Sequence, residues 1–336
     1  MRRFVAVLWV TLFVLPRPSL GLTWTRVEAV PAADVYSIQR HGTTLYAGSS
    51  DVAYIGADEG TTWTATASVN PAAAGVESVV PTGGALWAGT YGHGVYRSID
   101  AGVNWQPVNT GLAGLGATHI IEMVESDGKL YAGTSGAGIF ALDLATTTQW
   151  TSFNAGYPVD TAGGVNDLVL HGTTLVAAAG ANGFVYRFPA GATLWLEVAI
   201  LPPIAPGLLS TDLVVSAGDL LVGTTNRVYR SEDGAQSWTF AGDGLSRGTS
   251  VLLASSGSVL FAGVDFDLNN HRLYRSGDRG ATWQLIDEFL GVYLYGLEVA
   301  GDKLFAARTD GLWWTPLATT ALQSSTWGSI KSRFRD

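Results

Sequence analysis

Glu122, Asp167 and Asp212 recur at intervals of 45 residues, each eight residues ahead of a repeated leucine and among mostly apolar neighbours. If each interval is one structural repeat, these carboxylates occupy one level of three consecutive repeats and become neighbours, about 10 Å apart or closer. Like charges at that range raise one another's pKa or recruit a cation, and buried ones need partners. The three are therefore a candidate site for a cation or for the hydroxyls of a sugar. Their plainer role is local, each carboxylate accepting backbone N–H bonds from its own turn or a water.

A second candidate is Asp265-x-Asp267-x-Asn269, which has the spacing of the first half of a calcium loop. The sixth position is Asn270 rather than Gly, and the twelfth is Ser276 rather than Glu. Calcium is thus the one cofactor the sequence suggests, with a solvated hairpin as the simpler reading. Arginines could clamp a carboxylate, but Arg97, Arg187, Arg230 and Arg275 all share one repeat position after a Tyr. Arg40 and Arg308, with Arg26 and Arg247, fall outside that pattern, so Arg40 and Arg308 are kept as candidate ligand-binding residues. No Ser/His/Asp arrangement or metal spacing stands out among five histidines.

The elements that must position these groups are repeats. A strand of the form L-x-A-G-T begins at Leu45, Leu86, Leu130, Leu175, Leu220, Leu260 and Leu304, at spacings of 41, 44, 45, 45, 40 and 44 residues. That is the length of one four-stranded propeller blade. An apolar strand precedes each copy and a strand such as GVYRS at Gly94 follows it. A fourth strand begins around Trp63, Trp105, Trp150, Trp195, Trp238 or Trp283. The seventh copy lacks its fourth-strand Trp, while Leu22–Val30 supplies one, Trp24. The expectation is an all-β fold, a seven-bladed β-propeller of four-stranded blades whose N-terminal strand closes the last blade and leaves no open sheet edge. Ligands of propellers sit on the face of the 2→3 and blade-to-blade loops. Tyr91 and His93, on one such loop, join the candidate ligand-binding residues.

Between third and fourth strands lies Ser-x-Asp-x-Gly-x-x-Trp. It is complete from Ser98 to Trp105 and from Ser276 to Trp283, lacks the Ser from Gly56 to Trp63, and shifts its Gly one place from Ser231 to Trp238. Asp58, Asp100, Asp233 and Asp278 should accept backbone N–H bonds, Gly should take φ > 0, and Trp63, Trp105, Trp238 and Trp283 should bury against the sheet. Over residues 22–318 the chain resembles the Asp-box (BNR-repeat) propellers, among them sialidases, xyloglucanases, sortilin-type receptors and the photosystem II assembly propeller. That resemblance implies a structural Asp box on the rim away from the ligand. It also raises a glycoside hydrolase as the alternative function. Against a sialidase stand six blades in that family, the shortage of non-repeat arginines, and Tyr295 and Glu298 three apart, hence on opposite sides of a flat strand. Xyloglucanases use two propellers, and one is present here.

Arg2 and Arg3, the apolar run Phe4–Leu15, Pro16 and Ser19-Leu20-Gly21 read as a signal peptide over 1–21, cleaved after Gly21. Twelve apolar residues fall short of the roughly 20 needed for a membrane-spanning helix. The mature chain has 16 basic and 28 acidic side chains, a balance against nucleic acid and anionic membranes. Cysteine is absent, so no disulfide contributes in an oxidising compartment. Residues 319–336 form a short basic tail, with Trp327, Ile330 and Phe334 on one side of a possible helix. Together these features give a secreted or periplasmic, monomeric, non-catalytic binding module with a protein or glycan ligand.

Overall fold

The computed structural model describes residues 21–72, 75–146, 149–159, 164–179, 184–199, 210–225, 227–267 and 270–317. Residues 1–20 of the 1–21 leader, the whole tail 319–336, Asn269 and the loop residues Leu201–Ile204 lie outside them.

The described chain forms seven four-stranded antiparallel sheets arranged as the blades of a propeller. The innermost strands of blades 1 to 7 are Ser37–His41, Val76–Thr82, Ile120–Ser126, Val165–His171, Ser210–Ser216, Ser250–Ser256 and Leu294–Ala300. The repeated L-x-A-G-T segments are the second strands, as in Ala85–Thr90 and Lys129–Thr134.

The glycine of that repeat has a packing reason. A Cβ on Gly48 would lie 2.0 Å from the Val76 carbonyl oxygen; on Gly89, 2.5 Å from Ile120 Cγ2; on Gly133, 2.7 Å from Val165 Cγ1. Each atom met belongs to the innermost strand of the next blade, so the glycine is where one blade closes on another. Apolar clusters accordingly span blade pairs, for instance Val80, Trp87 and Val95 with Met123, Leu130 and Trp150.

Closure is by the N-terminus: Thr25 pairs with Trp314 and Arg26 with Trp313, making Thr25–Arg26 the outer strand of blade 7. Trp24, just ahead of that strand, reaches to blade 6. Its indole N–H donates to Asp287 Oδ2 at 2.8 Å, and its ring meets Phe289 edge-on. The tryptophans of other blades also reach backward: Trp150 donates to the Val108 carbonyl, Trp195 to Phe153 and Trp283 to Ala241. In these copies the fourth-strand Trp is a clamp between blades as much as a filler of its own, whereas Trp63 donates to the Gly60 carbonyl within its own blade. Among the described residues no helix is long and apolar enough to cross a membrane.

Candidate functional site

Antiparallel blades put the 1→2 and 3→4 turns on one face, and the 2→3 and blade-to-blade loops on the other. The Ser-x-Asp turns belong to the first face. In each of three turns the Ser hydroxyl donates to the Asp and accepts a backbone N–H two residues beyond it. Ser98 Oγ lies 2.8 Å from Asp100 Oδ1 and from Gly102 N; Ser276 Oγ lies 2.7 Å from Asp278 Oδ1 and 2.9 Å from Gly280 N. Ser231 and Asp233 repeat this with Ala235 N. Hydrogen bonds from the Asn104 side chain and backbone, then from Ser98, hold the Asp100 carboxyl down at about 2.

Two consecutive residues of these turns are left-handed: Ala101 and Gly102, Gly234 and Ala235, Arg279 and Gly280. A glycine at either place relieves one of them, which explains why the Ser231–Trp238 copy tolerates its shifted Gly. Asp58 departs from the expectation. With Gly56 in place of the Ser there is no hydroxyl to bridge, Asp58 is itself left-handed at φ 48°, and its backbone carbonyl, not its carboxylate, accepts the bonds from Thr61.

Between the two faces runs the central channel, a cavity of about 650 Å³ lined by the seven innermost strands. Glu122, Asp167 and Asp212 line it side by side, on blades 3, 4 and 5. Glu122 accepts from Gln39 Nε2, 2.6 Å from both carboxylate oxygens, from Ser78 Oγ at 3.0 Å and from Met123 N at 2.9 Å. Asp167 accepts from Leu168 N and, in the next blade, from Leu213 N, both at 2.7 Å. Asp212 accepts from Leu213 N and, one blade further, from Leu253 N. The acids therefore stitch neighbouring innermost strands together.

Desolvation first, then the charge of Asp167, pushes Glu122 up to about 8 against its hydrogen bonds. Asp212 is raised well above the ordinary carboxylate range by desolvation and by Asp167, and Asp167 is raised by desolvation against a hydrogen bond from Asp212. The two carboxyls are close enough to titrate as a pair, with the first ionisation made harder by burial and the second by the charge of the first.

Five innermost strands carry a β-bulge one place before this level, at Glu77, Ile121, Asn166, Thr211 and Tyr295. A bulge re-aims a side chain, and all five of these residues line the channel. It also overturns the opposite-sides expectation for Tyr295 and Glu298, because the extra residue changes the alternation and both line the cavity. Glu298 is raised to about 7 by desolvation, opposed by Arg40 at 3.5 Å.

The other candidates are dispersed. Arg40 sits on the channel wall beside Glu298. Arg308 is buried away from it, holding Asp310 through Nε and Nη2 at 2.8 and 2.7 Å, its guanidinium 4.7 Å from the Trp313 ring centre. Tyr91 is exposed on the mouth face against His119, ring centres 3.9 Å apart. His93 contributes its backbone carbonyl to Asn109. Asp265 and Asp267 belong to the extended strand Val259–Asp267, and Asp265 accepts from the Thr249 hydroxyl. A calcium loop must wrap its donors round the ion; an extended strand does not, and no group of three metal-ligating side chains occurs among the described residues. Tyr36, Glu77 and Tyr295 at the mouth are site residues that the repeat pattern did not single out.

Comparison with known proteins agrees with the architecture. The model of the DUF6242 β-propeller domain matches residues 22–166, the closing strand and blades 1 to 3. No curated protein matches the chain. Among solved structures, YCF48 bound to a D1 peptide is 16% identical, covers 91% of this chain and 97% of its own, and superposes with a TM-score of 0.65. The extracellular domain of a putative one-component system from B. thetaiotaomicron is 12% identical over 88% of this chain and 40% of its own, with a TM-score of 0.68. A GH74 xyloglucanase from Xanthomonas campestris is 16% identical over 88% of this chain and 53% of its own, at 0.64. At these identities the likeness is one of fold.

Proposed function

We propose that the chain is an exported, non-catalytic binding module of the Asp-box propeller type, taking a protein or glycan ligand at the mouth of its central channel. The observation that carries this reading is the 650 Å³ channel lined by the seven innermost strands, with Tyr36, Glu77 and Tyr295 at the end where the blade-to-blade loops enter those strands. The Ser-x-Asp turns lie on the other face, where turn chemistry accounts for them. A hydrolase fits less well. Inverting glycosidases separate their two carboxyls by about 6.5–9.5 Å, whereas Asp167 and Asp212 interact directly. A guanidinium clamp for a sialic acid carboxylate is likewise poorly supported, since Arg308 is committed to Asp310 and Arg40 faces Glu298. The peptide held by the structurally similar YCF48 is a precedent for a propeller of this shape binding polypeptide.

The test is a glycan and peptide array on the mature protein with and without calcium, alongside turnover assays on a fluorogenic sialoside and on xyloglucan. Binding without turnover is expected. Turnover that disappears in Glu122→Gln or Arg40→Ala overturns the non-catalytic reading, and a calcium requirement for binding restores a cation to the site.

A further inference from the structure

We propose that the part of the mouth shared by blades 7, 1 and 2 is a cleft for a cationic side chain, the guanidinium or ammonium of an Arg or Lys on a partner polypeptide. The inference rests on the reading that the mouth is the ligand face, and names the ligand chemistry.

The walls of the cleft are aromatic. Tyr36 of blade 1 and Tyr295 of blade 7 both line the cavity, with ring centres 5.0 Å apart and planes at 61°. Tyr293 backs Tyr295 at 4.9 Å. The Tyr36 hydroxyl donates to Asp34 Oδ2 at 3.2 Å, which fixes the ring and places a carboxylate behind it. The two rings meet edge to face and do not make the flat shelf on which a sugar stacks. An electron-rich tyrosine face suits a cation.

Glu77 of blade 2 forms the anionic end. Its bulge turns it into the cavity. The adjacent Gly75 lets the carboxylate and the Tyr36 ring share one corner: a Cβ there would lie 3.0 Å from Glu77 Oε1 and 3.2 Å from Tyr36 Cδ2. Glu122 has Gln39 and Ser78 as donors and Glu298 has Arg40. Glu77, by contrast, has no side-chain hydrogen bond or ion pair among the described residues, and its carboxyl is raised to about 7 by desolvation alone. A desolvated carboxylate without a donor, beside two tyrosine rings, is what an incoming cation would complete.

The wider field agrees. Glu77, Glu122, Glu125, Asp167, Asp212 and Glu298 line the channel, and Arg40 is its one lining Lys or Arg among the described residues. As these acids ionise towards pH 8, such a mouth attracts positive ligands and repels carboxylates and phosphates. Arg fits better than Lys, because a planar guanidinium can lie on a tyrosine face while two of its N–H groups reach Glu77.

The test is calorimetric titration of the mature protein with the peptide acetyl-Gly-Gly-Arg-Gly-Gly-amide. The same peptide with citrulline for arginine, free arginine amide and cellopentaose serve as comparisons. The arginine peptide should bind at least tenfold more tightly than its citrulline counterpart, and less tightly as salt is raised. Glu77→Gln should weaken it about tenfold or more, whereas Glu125→Gln, exposed at the 1→2-turn end of the channel, should change it by less than about threefold. Tyr295→Phe should retain binding and Tyr295→Ala lose it, with thermal melts establishing that each variant is folded. Free arginine amide binding as well as the peptide would assign the cleft to a small cation and overturn the polypeptide ligand. Equal binding of the citrulline peptide, no binding of the arginine peptide, or indifference to Glu77→Gln overturns the cleft itself. An array ligand that ignores Glu77 but is lost when Tyr36 or Tyr91 is changed would sink this inference and leave the mouth as the ligand face. One indifferent to every mouth substitution would sink both.

Discussion

Replacing Glu122 by Gln should remove a pH dependence of stability without harming the fold. The native carboxyl is raised from 4.5 to about 8, mainly by desolvation. Between those values the folded protein holds a proton that the unfolded chain has released. Stability from this group is therefore complete below the unfolded pKa and is lost as pH rises through about 8. One such proton gives a slope of about 1.4 kcal/mol per pH unit, so the wild type should lose at most about 3 kcal/mol from Glu122 between pH 6 and pH 9. Water entering the channel mouth makes that an upper bound. Glu77 and Glu298, both raised to about 7, add to the wild-type slope near pH 6 but are largely ionised above pH 8. The contribution of Glu122 is thus isolated at the alkaline end. A glutamine is a neutral isostere of the protonated acid and can still accept from Gln39, Ser78 and Met123. Urea unfolding at pH 6, 7, 8 and 9 should show the variant already the more stable protein at pH 6, by at most about 2 kcal/mol, because the unfolded wild type has released its proton above 4.5. That advantage should widen by at most about 3 kcal/mol more by pH 9. Parallel curves across the range would mean that Glu122 is ionised at neutral pH, and would refute the desolvation argument for the whole channel.

Trp195 is almost wholly buried, and its N–H donates to the Phe153 carbonyl of the preceding blade. Trp195→Ala should cost about 3–5 kcal/mol and Trp195→Phe about 1–2 kcal/mol less than that in chemical denaturation, while a loss under about 1 kcal/mol would contradict the clamp role. Ser276→Ala removes the hydroxyl that accepts from Gly280 N. It should lower stability by about 1–3 kcal/mol, measurable as a shifted urea midpoint; an unchanged midpoint would show that water replaces the hydroxyl.

The blade count and the closing strand were legible because inter-blade packing demands particular residues at fixed intervals. Gly48, Gly89 and Gly133 sit where the next blade's backbone or β-branched side chain leaves no room for a Cβ, and Trp24, Trp150, Trp195 and Trp283 donate across a blade boundary. The level of Glu122, Asp167 and Asp212 was legible for the same reason, since equivalent repeat positions face the same way. The mouth was not. Tyr36, Glu77 and Tyr295 stand one place nearer the mouth, where flat-strand alternation points side chains into the core. Bulges in blades 2 and 7 turn Glu77 and Tyr295 into the channel. A bulge is decided by how two strands meet, and no residue type marks it. Asp265 and Asp267 misled for a related reason: their spacing suits a calcium loop, but pairing with Ser250 and Asn270 keeps that stretch extended.

The molecule holds two populations of carboxylates tuned in opposite directions by one balance. At the turn face, Asp100 and Asp233 are held at about 2 because several donors converge on carboxylates that stay largely hydrated. In the channel, Glu122 receives as many donors but gives up far more hydration, and desolvation wins. The turn acids stabilise the fold only above their unfolded pKa, and that contribution fades as pH falls towards 2; the channel acids stabilise it only while protonated. The propeller is therefore expected to be most stable in mildly acidic solution, where the turns are ionised and the channel is neutral. Raising the pH towards 8 trades some of that stability for negative charge at the mouth. Glu77, with no donor of its own among the described residues, is the acid that gains most from this if a cation arrives, because the ligand supplies the counter-charge that the fold does not.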